Sequence, residues 1–162
     1  MVFSPDGRTL ATGGLSHSID LWNVADTDHP SGRVVSALSP GAVYALDFNQ
    51  DGTRLVSTGL ESEAHVWNVA DPGKMEEAYW PVKLNVATIN EATYPRRPVS
   101  AQFRPHGTWF VTGLDDGMVA LWNSDPQFAA DRACALTTES DLPTKWRSHL
   151  PWIPYKPPCD WH

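Results

Sequence analysis

The sequence predicts an all-β fold made of about three copies of one four-stranded antiparallel unit, and three observations predict it. A turn closing on glycine recurs at Ser4-Pro5-Asp6-Gly7, Asn49-Gln50-Asp51-Gly52 and Arg104-Pro105-His106-Gly107. A Trp-Asn pair recurs at Trp22-Asn23, Trp67-Asn68 and Trp122-Asn123, fifteen residues after the glycine each time. A phenylalanine stands four residues ahead of each glycine, at Phe3, Phe48 and Phe103. Landmarks held in register at such a period mark a repeat architecture.

Each element has a local reason. Ahead of the turn, Tyr44, Leu46 and Phe48 alternate with less apolar neighbours, as do Val99, Ala101 and Phe103, which is the period of a strand. At the turn, proline presets φ and glycine supplies a positive φ. After it come Thr9-Leu10-Ala11-Thr12, Arg54-Leu55-Val56-Ser57 and Trp109-Phe110-Val111-Thr112, short segments rich in β-formers. A second tight connection follows at Leu15-Ser16-His17-Ser18, Leu60-Glu61-Ser62-Glu63 and Asp115-Asp116-Gly117. A third strand then runs into the tryptophan: Ile19 to Trp22, Ala64 to Trp67, Val119 to Trp122. Arg33 to Ala37 reads as a fourth strand, and Val82 to Val86 as its counterpart in the second unit. The 36 residues from Trp67 to Phe103, against 26 from Trp22 to Phe48, leave ten residues without an assigned place.

On these residues the chain resembles the WD40 repeat family, whose four-stranded blades build β-propellers. The resemblance covers residues 1–124, a partial β-propeller whose first blade is cut short at Met1-Val2-Phe3. The chain departs from the family pattern in places. Trp-Asn replaces Trp-Asp, Ser39 and Tyr94 stand where the family has histidine, and Asp116 alone fills the buried-turn aspartate position, with Ser16 and Glu61 in the others. The family's Ser/Thr position is kept as Thr12, Ser57 and Thr112. Because propellers close with four to eight blades, the remaining blades are expected to lie elsewhere, in a longer protein of which this is a fragment or truncated product. A closed ring of copies is the alternative.

The pattern changes after Asn123. Ser124-Asp125-Pro126 reads as a helix cap, and Phe128 to Leu136 has near-helical apolar spacing. Leu142, Trp146 and Leu150 form one apolar stripe, and Pro151, Pro154, Pro157 and Pro158 exclude regular structure beyond it. Residues 125–162 are thus expected to be a short helical, Pro/Trp-rich extension packing on the last blade. This extension resembles the segment that follows WD repeats in large multidomain proteins of high-GC bacteria, on Cys134, Leu142, Trp146, Leu150-Pro151, Pro154-Tyr155, Pro157 and Cys159. Pro143 and Lys145 depart from that pattern. The resemblance implies a sensor or scaffold role within a larger signalling protein.

Composition bounds the function. The chain has 162 residues, 41% apolar, with a formal charge of −7. Nucleic-acid and anionic-membrane partners are not expected, since both need clustered Lys and Arg. No apolar run approaches a bilayer span, and the first residues show neither a basic nor an apolar leader pattern, so a cytoplasmic protein is expected. The six histidines show no metal-ligand spacing. No phosphate loop, nucleophile elbow or zinc-protease motif occurs, so no catalytic residue, metal or cofactor is expected. Cys134 and Cys159 either form a disulfide or remain packed thiols, the second being favoured in a reducing compartment.

Phe3, Gly7, Trp22, Phe48, Gly52, Trp67, Phe103, Gly107 and Trp122 are expected to build the repeats, with the indoles buried between blades. Tyr79 and Trp80 are candidate protein-contact residues. The expected function is a non-catalytic protein-interaction scaffold. A propeller-scaffold hydrolase with its catalytic residues in absent blades, and a non-functional remnant, are the alternatives.

Overall fold

The computed structural model describes residues 1–26, 28, 31–39, 41–61, 63–71, 73–78, 82–83, 87–89, 92–94, 97–125 and 127–128, with backbone alone for the strands over 31–38, 82–83, 87–89 and 92–94. The chain divides into two compact units, Met1–Ser124 and Asp125–His162. In the first unit, the described residues form three antiparallel sheets and a small hairpin.

The first sheet runs in chain order through β1 (Val2–Phe3), β2 (Thr9–Gly13), β3 (Ser18–Asn23) and β4 (Ser31–Leu38). The second holds β5 (Val43–Phe48), β6 (Arg54–Gly59) and β7 (Glu63–Asn68). Its outer edge is shared by two short strands, β8 (Glu76–Glu77) and β9 (Val82–Lys83), both paired to β7. A hairpin of β10 (Ala87–Ile89) and β11 (Ala92–Tyr94) follows. The third sheet is β12 (Pro98–Phe103), β13 (Trp109–Leu114) and β14 (Val119–Asn123).

The β-meander order therefore holds in all three repeats, but the expected four strands are found in the first two only: among the described residues the third sheet has three, β12, β13 and β14. The fourth strand of the second repeat is split: Val82–Lys83 pairs with β7, and Glu76–Glu77 pairs with it too. Two adjacent glutamates carry no apolar alternation, so periodicity could not find them. The hairpin over 87–94 falls in the longer stretch between Trp67 and Phe103 and takes up most of its extra residues. The predicted alternation also breaks at one point in each copy. Tyr44 and Val99 are about half exposed because the register shifts between Val43 and Ala45 and between Pro98 and Ser100. A bulge puts one unpaired residue on the strand and turns its side chain off the expected face.

The turns follow their chemistry. Gly7, Gly52 and Gly107 adopt φ of +70°, +70° and +95°, a region that side chains with a Cβ avoid. Gly7 N–H donates to the Ser4 carbonyl at 2.9 Å, and Gly52 N–H to that of Asn49 at 3.0 Å.

Cross-strand register sorts the side chains into two rows per sheet. One row is Phe3–Leu10–Trp22, repeated as Phe48–Leu55–Trp67 and Phe103–Phe110–Trp122. The neighbouring row, on the opposite face, is Val2–Ala11–Leu21, then Asp47–Val56–Val66, then Gln102–Val111–Leu121. Sheets stack so that the first kind of row meets the second kind. Ala11, Ile19 and Leu21 pack with Phe48, Leu55 and Trp67. In the next layer, Val56, Ala64 and Val66 pack with Phe103 and Phe110, and Trp122 lies against them. Each large side chain buried this way contributes roughly 1.5–3 kcal/mol.

In the second unit the described residues begin a helix at Gln127–Phe128, where Asp125 Oδ1 accepts the Gln127 N–H at 2.9 Å, an N-cap bond. The rest of the predicted extension, with Trp146, Trp152 and Tyr155, lies outside the described residues.

Candidate protein-binding surface

In each repeat the tryptophan is tied to the middle strand by one side-chain bond. Trp22 Nε1 donates to Thr12 Oγ1 at 2.8 Å, Trp67 Nε1 to Ser57 Oγ at 2.8 Å, and Trp122 Nε1 to Thr112 Oγ1 at 3.0 Å. The hydroxyl and the indole sit on adjacent strands, so the bond locks the sheet while satisfying a donor that burial would otherwise strand. Only Trp67 is fully buried; Trp22 and Trp122 are half-buried. The expectation that all three indoles are buried between blades is corrected to that extent. Trp22 belongs to the first sheet, and the packing face that holds it has no sheet from this chain's described residues against it.

The same asymmetry appears at the phenylalanines. Phe48 and Phe103 are buried, each against the sheet before it, whereas Phe3 is 61% exposed. Its place in the repeat matches theirs. Its surroundings do not.

Polar links join neighbouring sheets. Asp47 on β5 accepts the Phe103 N–H of β12 at 2.6 Å. Burial pushes the Asp47 carboxyl up from its ordinary value, and backbone N–H groups of Phe103 and Phe48 oppose that shift. The Arg54 guanidinium donates to the Ser124 carbonyl at the end of the third sheet. Sequence reading missed both. The available signal was an acid at position 47, where the other repeats have Val2 and Gln102.

A side-chain pair also went unread. His65 is buried, stacks on Trp67 with ring centroids 6.1 Å apart, and meets Glu77 Oε1 through Nδ1 at 2.6 Å. It forms because β8 lays Glu77 beside β7.

The turns after β1, β5 and β12 lie together on one end of the stack. Asp6 Oδ1 accepts the Ser4 hydroxyl at 2.6 Å and the Arg8 N–H at 3.0 Å. Asn49 Oδ1 accepts the Arg54 N–H at 2.9 Å. Asp51 Oδ1 accepts the Thr53 hydroxyl at 2.5 Å and the Thr53 N–H at 2.9 Å. The hydroxyls of Ser4 and Thr53 first, and the Arg8 and Thr53 N–H groups after them, hold the Asp6 and Asp51 carboxyls below their ordinary value. In the third repeat Arg104, which has no acceptor atom, stands in the place of Ser4 and Asn49.

Between these turns open two clefts. One, of about 470 Å³, is lined by Pro5, Asp6, Phe48, Asp51 and Val69. The other, of about 500 Å³, is lined by Gln50, Asp51, Arg54, Thr108 and Ser124. The first lies between the two turns held by side-chain caps, and the second reaches the third turn, where Arg104 replaces the capping residue.

Among the described residues, no group of three or more His, Cys, Asp or Glu is placed to hold a metal ion, and no helix is long and apolar enough to cross a membrane. The candidate contact residues Tyr79 and Trp80, and Cys134 and Cys159, lie outside the described residues.

Sheets of one design, stacked face to face with a tryptophan bonded across each, define a propeller-type repeat protein. The family model for the WD domain, G-beta repeat (WD40) matches residues 1–23, 32–68 and 91–123, more than half of the chain. The chain belongs to the WD40 repeat family, and its fold is a partial all-β propeller. Domains of this family are generally protein-interaction scaffolds and usually not enzymes. No curated protein matches the chain.

Proposed function

We propose that this chain is a non-catalytic scaffold that binds a protein partner through the turn end of its blades. The observation that carries the reading is the pair of clefts between the turns on a stack of WD40 blades. Rigid sheets hold the turns in fixed relation, so a partner meets a surface whose ordering cost is already met by folding. Gln50, between the two clefts and exposed, and His106, exposed at the neighbouring turn, are the residues such a partner would touch. A cytoplasmic location and a place within a larger signalling protein belong to the same proposal; the bacterial extension that residues 125–162 resemble supports the second.

The test uses the full chain as bait with three surface variants. A partner retained by the natural chain should be lost with Gln50→Arg and with His106→Glu. It should be kept with Glu61→Arg, an exposed site on the connection between β6 and β7. Equal retention by all variants overturns the turn end as the binding surface.

A further inference from the structure

We propose that His65 is a proton-operated latch: a proton taken up at its Nε2 clamps the edge strand β8 onto β7 through Glu77 and Glu63. His65 is 4% exposed, and its two ring nitrogens are served unequally. Nδ1 meets Glu77 Oε1 at 2.6 Å, which would set two acceptors against each other unless a proton lay between them. With Glu77 a carboxylate, that proton is on Nδ1, and the neutral ring keeps a bare lone pair at Nε2. Nε2 is buried and makes no hydrogen bond, and Glu63 Oε2 lies 4.0 Å from it.

A bare Nε2 is unfavourable there for two reasons. It has given up water without gaining a donor, and its partial negative charge lies beside a full one. A proton on Nε2 removes both: the nitrogen becomes a donor toward Glu63, and the ring becomes a cation between two carboxylates. The arrangement belongs to the second blade alone. At the place of His65, two residues before the tryptophan, the first blade has Asp20 and the third Ala120. Neither carries an imidazole, so the latch is not a general property of the repeat.

Among the described residues, Glu63 of its own strand and Glu77 of β8 are the titratable groups facing His65. β6 sets Ser57 opposite it, and β9, described by its backbone alone, sets Lys83 opposite Glu63. His65 shares a face with Trp67, two residues on, and the first sheet meets that face through Ala11, Ile19 and Leu21, none of which titrates. Glu76 is paired with Lys74 at 2.8 Å. β8 itself is weakly held: its register covers two residue pairs, extended by the Ala78 N–H to the Val66 carbonyl at 2.7 Å. Glu77 is the side chain that pins it. Glu76, Glu77 and Ala78 also wall a cleft of about 320 Å³ with Thr53, Arg54 and Asn68, so the latch governs that wall. The proton is bound more tightly with β8 docked than with β8 released. Docking therefore strengthens as pH falls through the ordinary histidine range and weakens as pH rises through it. It fails again where the glutamates lose their charge, so it is greatest between the carboxylate and histidine ranges.

Nuclear magnetic resonance of the full chain between about pH 5.5 and about pH 8 tests this, reading the imidazole nitrogens and amide exchange together. Over that interval the His65 ring should pass from both nitrogens protonated to Nδ1–H alone. The Ala78 amide reports docking, and the amides of β13 serve as the reference. Corrected for intrinsic exchange, Ala78 protection relative to β13 should be about fivefold greater at the acid end. Glu63→Val suits a strand and removes the second carboxylate; it should cut that step to about half or less, with β13 protection unchanged. His65→Phe keeps a ring against Trp67 and should abolish the step. If it misfolds, Glu63→Val carries the test, because the Glu63 side chain is 27% exposed. A ring that keeps Nε2 bare throughout overturns the proposal, as does Ala78 protection indifferent to pH. A step of full size in Glu63→Val, or one that survives His65→Phe, overturns it too.

Discussion

Ser57 and Thr12 accept equivalent indole protons, those of Trp67 and Trp22, in different surroundings, and the difference has a measurable consequence. Ser57 is almost fully buried and its partner Trp67 is 4% exposed, so removing the hydroxyl leaves a buried N–H without an acceptor. Ser57→Ala should cost about 2 kcal/mol in a urea titration. Thr12→Ala should cost about half that or less, since water can reach the half-buried Trp22. Asp47 gives a prediction in pH. Its folded-state pKa lies above the unfolded 3.8, so the native chain keeps the proton longer than the unfolded one. Stability from this group therefore falls as pH rises from 3.8 through the native value and is flat above it. Asp6 and Asp51, held low, act in the opposite sense: their contribution is present above 3.8 and is lost as pH falls through their native values. Asp47→Asn keeps an acceptor for Phe103 and removes the first effect. Its denaturation midpoint relative to the natural chain should rise as pH is raised above 3.8; a pH-independent difference would count against burial as the cause. The hydroxyl partners could be read from the repeat pattern, because each sits at a fixed distance from its tryptophan. The Asp47 link could not, because it depends on which strand of the next blade lies opposite.

At the scale of the strands, Gly59 and Gly14 separate close packing from conformational freedom. A Cβ on Gly59 would lie 1.8 Å from the Ala42 carbonyl oxygen, which accepts the Leu60 N–H at 2.9 Å. Gly59→Ala must push β6 away from the entry to β5 and should cost about 3 kcal/mol. Gly14 faces open space, so Gly14→Ala should be neutral or stabilising by about 0.5 kcal/mol, by restricting the unfolded chain. Thermal denaturation of the two variants side by side reads the contrast; similar melting points would refute the close-approach argument. The strands around these glycines were legible because turn residues and period-2 alternation act locally. The bulges at Tyr44 and Val99 were not, since a one-residue slip is decided by the partner strand. β8 was hidden for a related reason: Glu76 and Glu77 become a strand through pairing with β7 and through the Glu77 contact with His65, neither of which is near in sequence.

For the stacked blades as a whole, stability should be graded rather than uniform. In a repeat array each unit is stabilised by its neighbours, so a unit covered on both faces outlasts one covered on a single face. The second blade is covered on both: Phe48, Leu55 and Trp67 pack toward the first blade, Val56, Ala64 and Val66 toward the third. The first blade lacks cover at Phe3, and the third at Val119 and Leu121. Native-state hydrogen exchange should accordingly find the slowest amides in β6, with those of β1 and β14 exchanging first. Leu55→Ala removes a fully buried side chain from the interface of the first two blades and should cost about 3 kcal/mol. That loss should accelerate exchange in β1–β3 more than in β12–β14, because the cavity opens on the first blade's side of the second sheet. Equal acceleration in both outer blades would mean that the stack unfolds as one cooperative body.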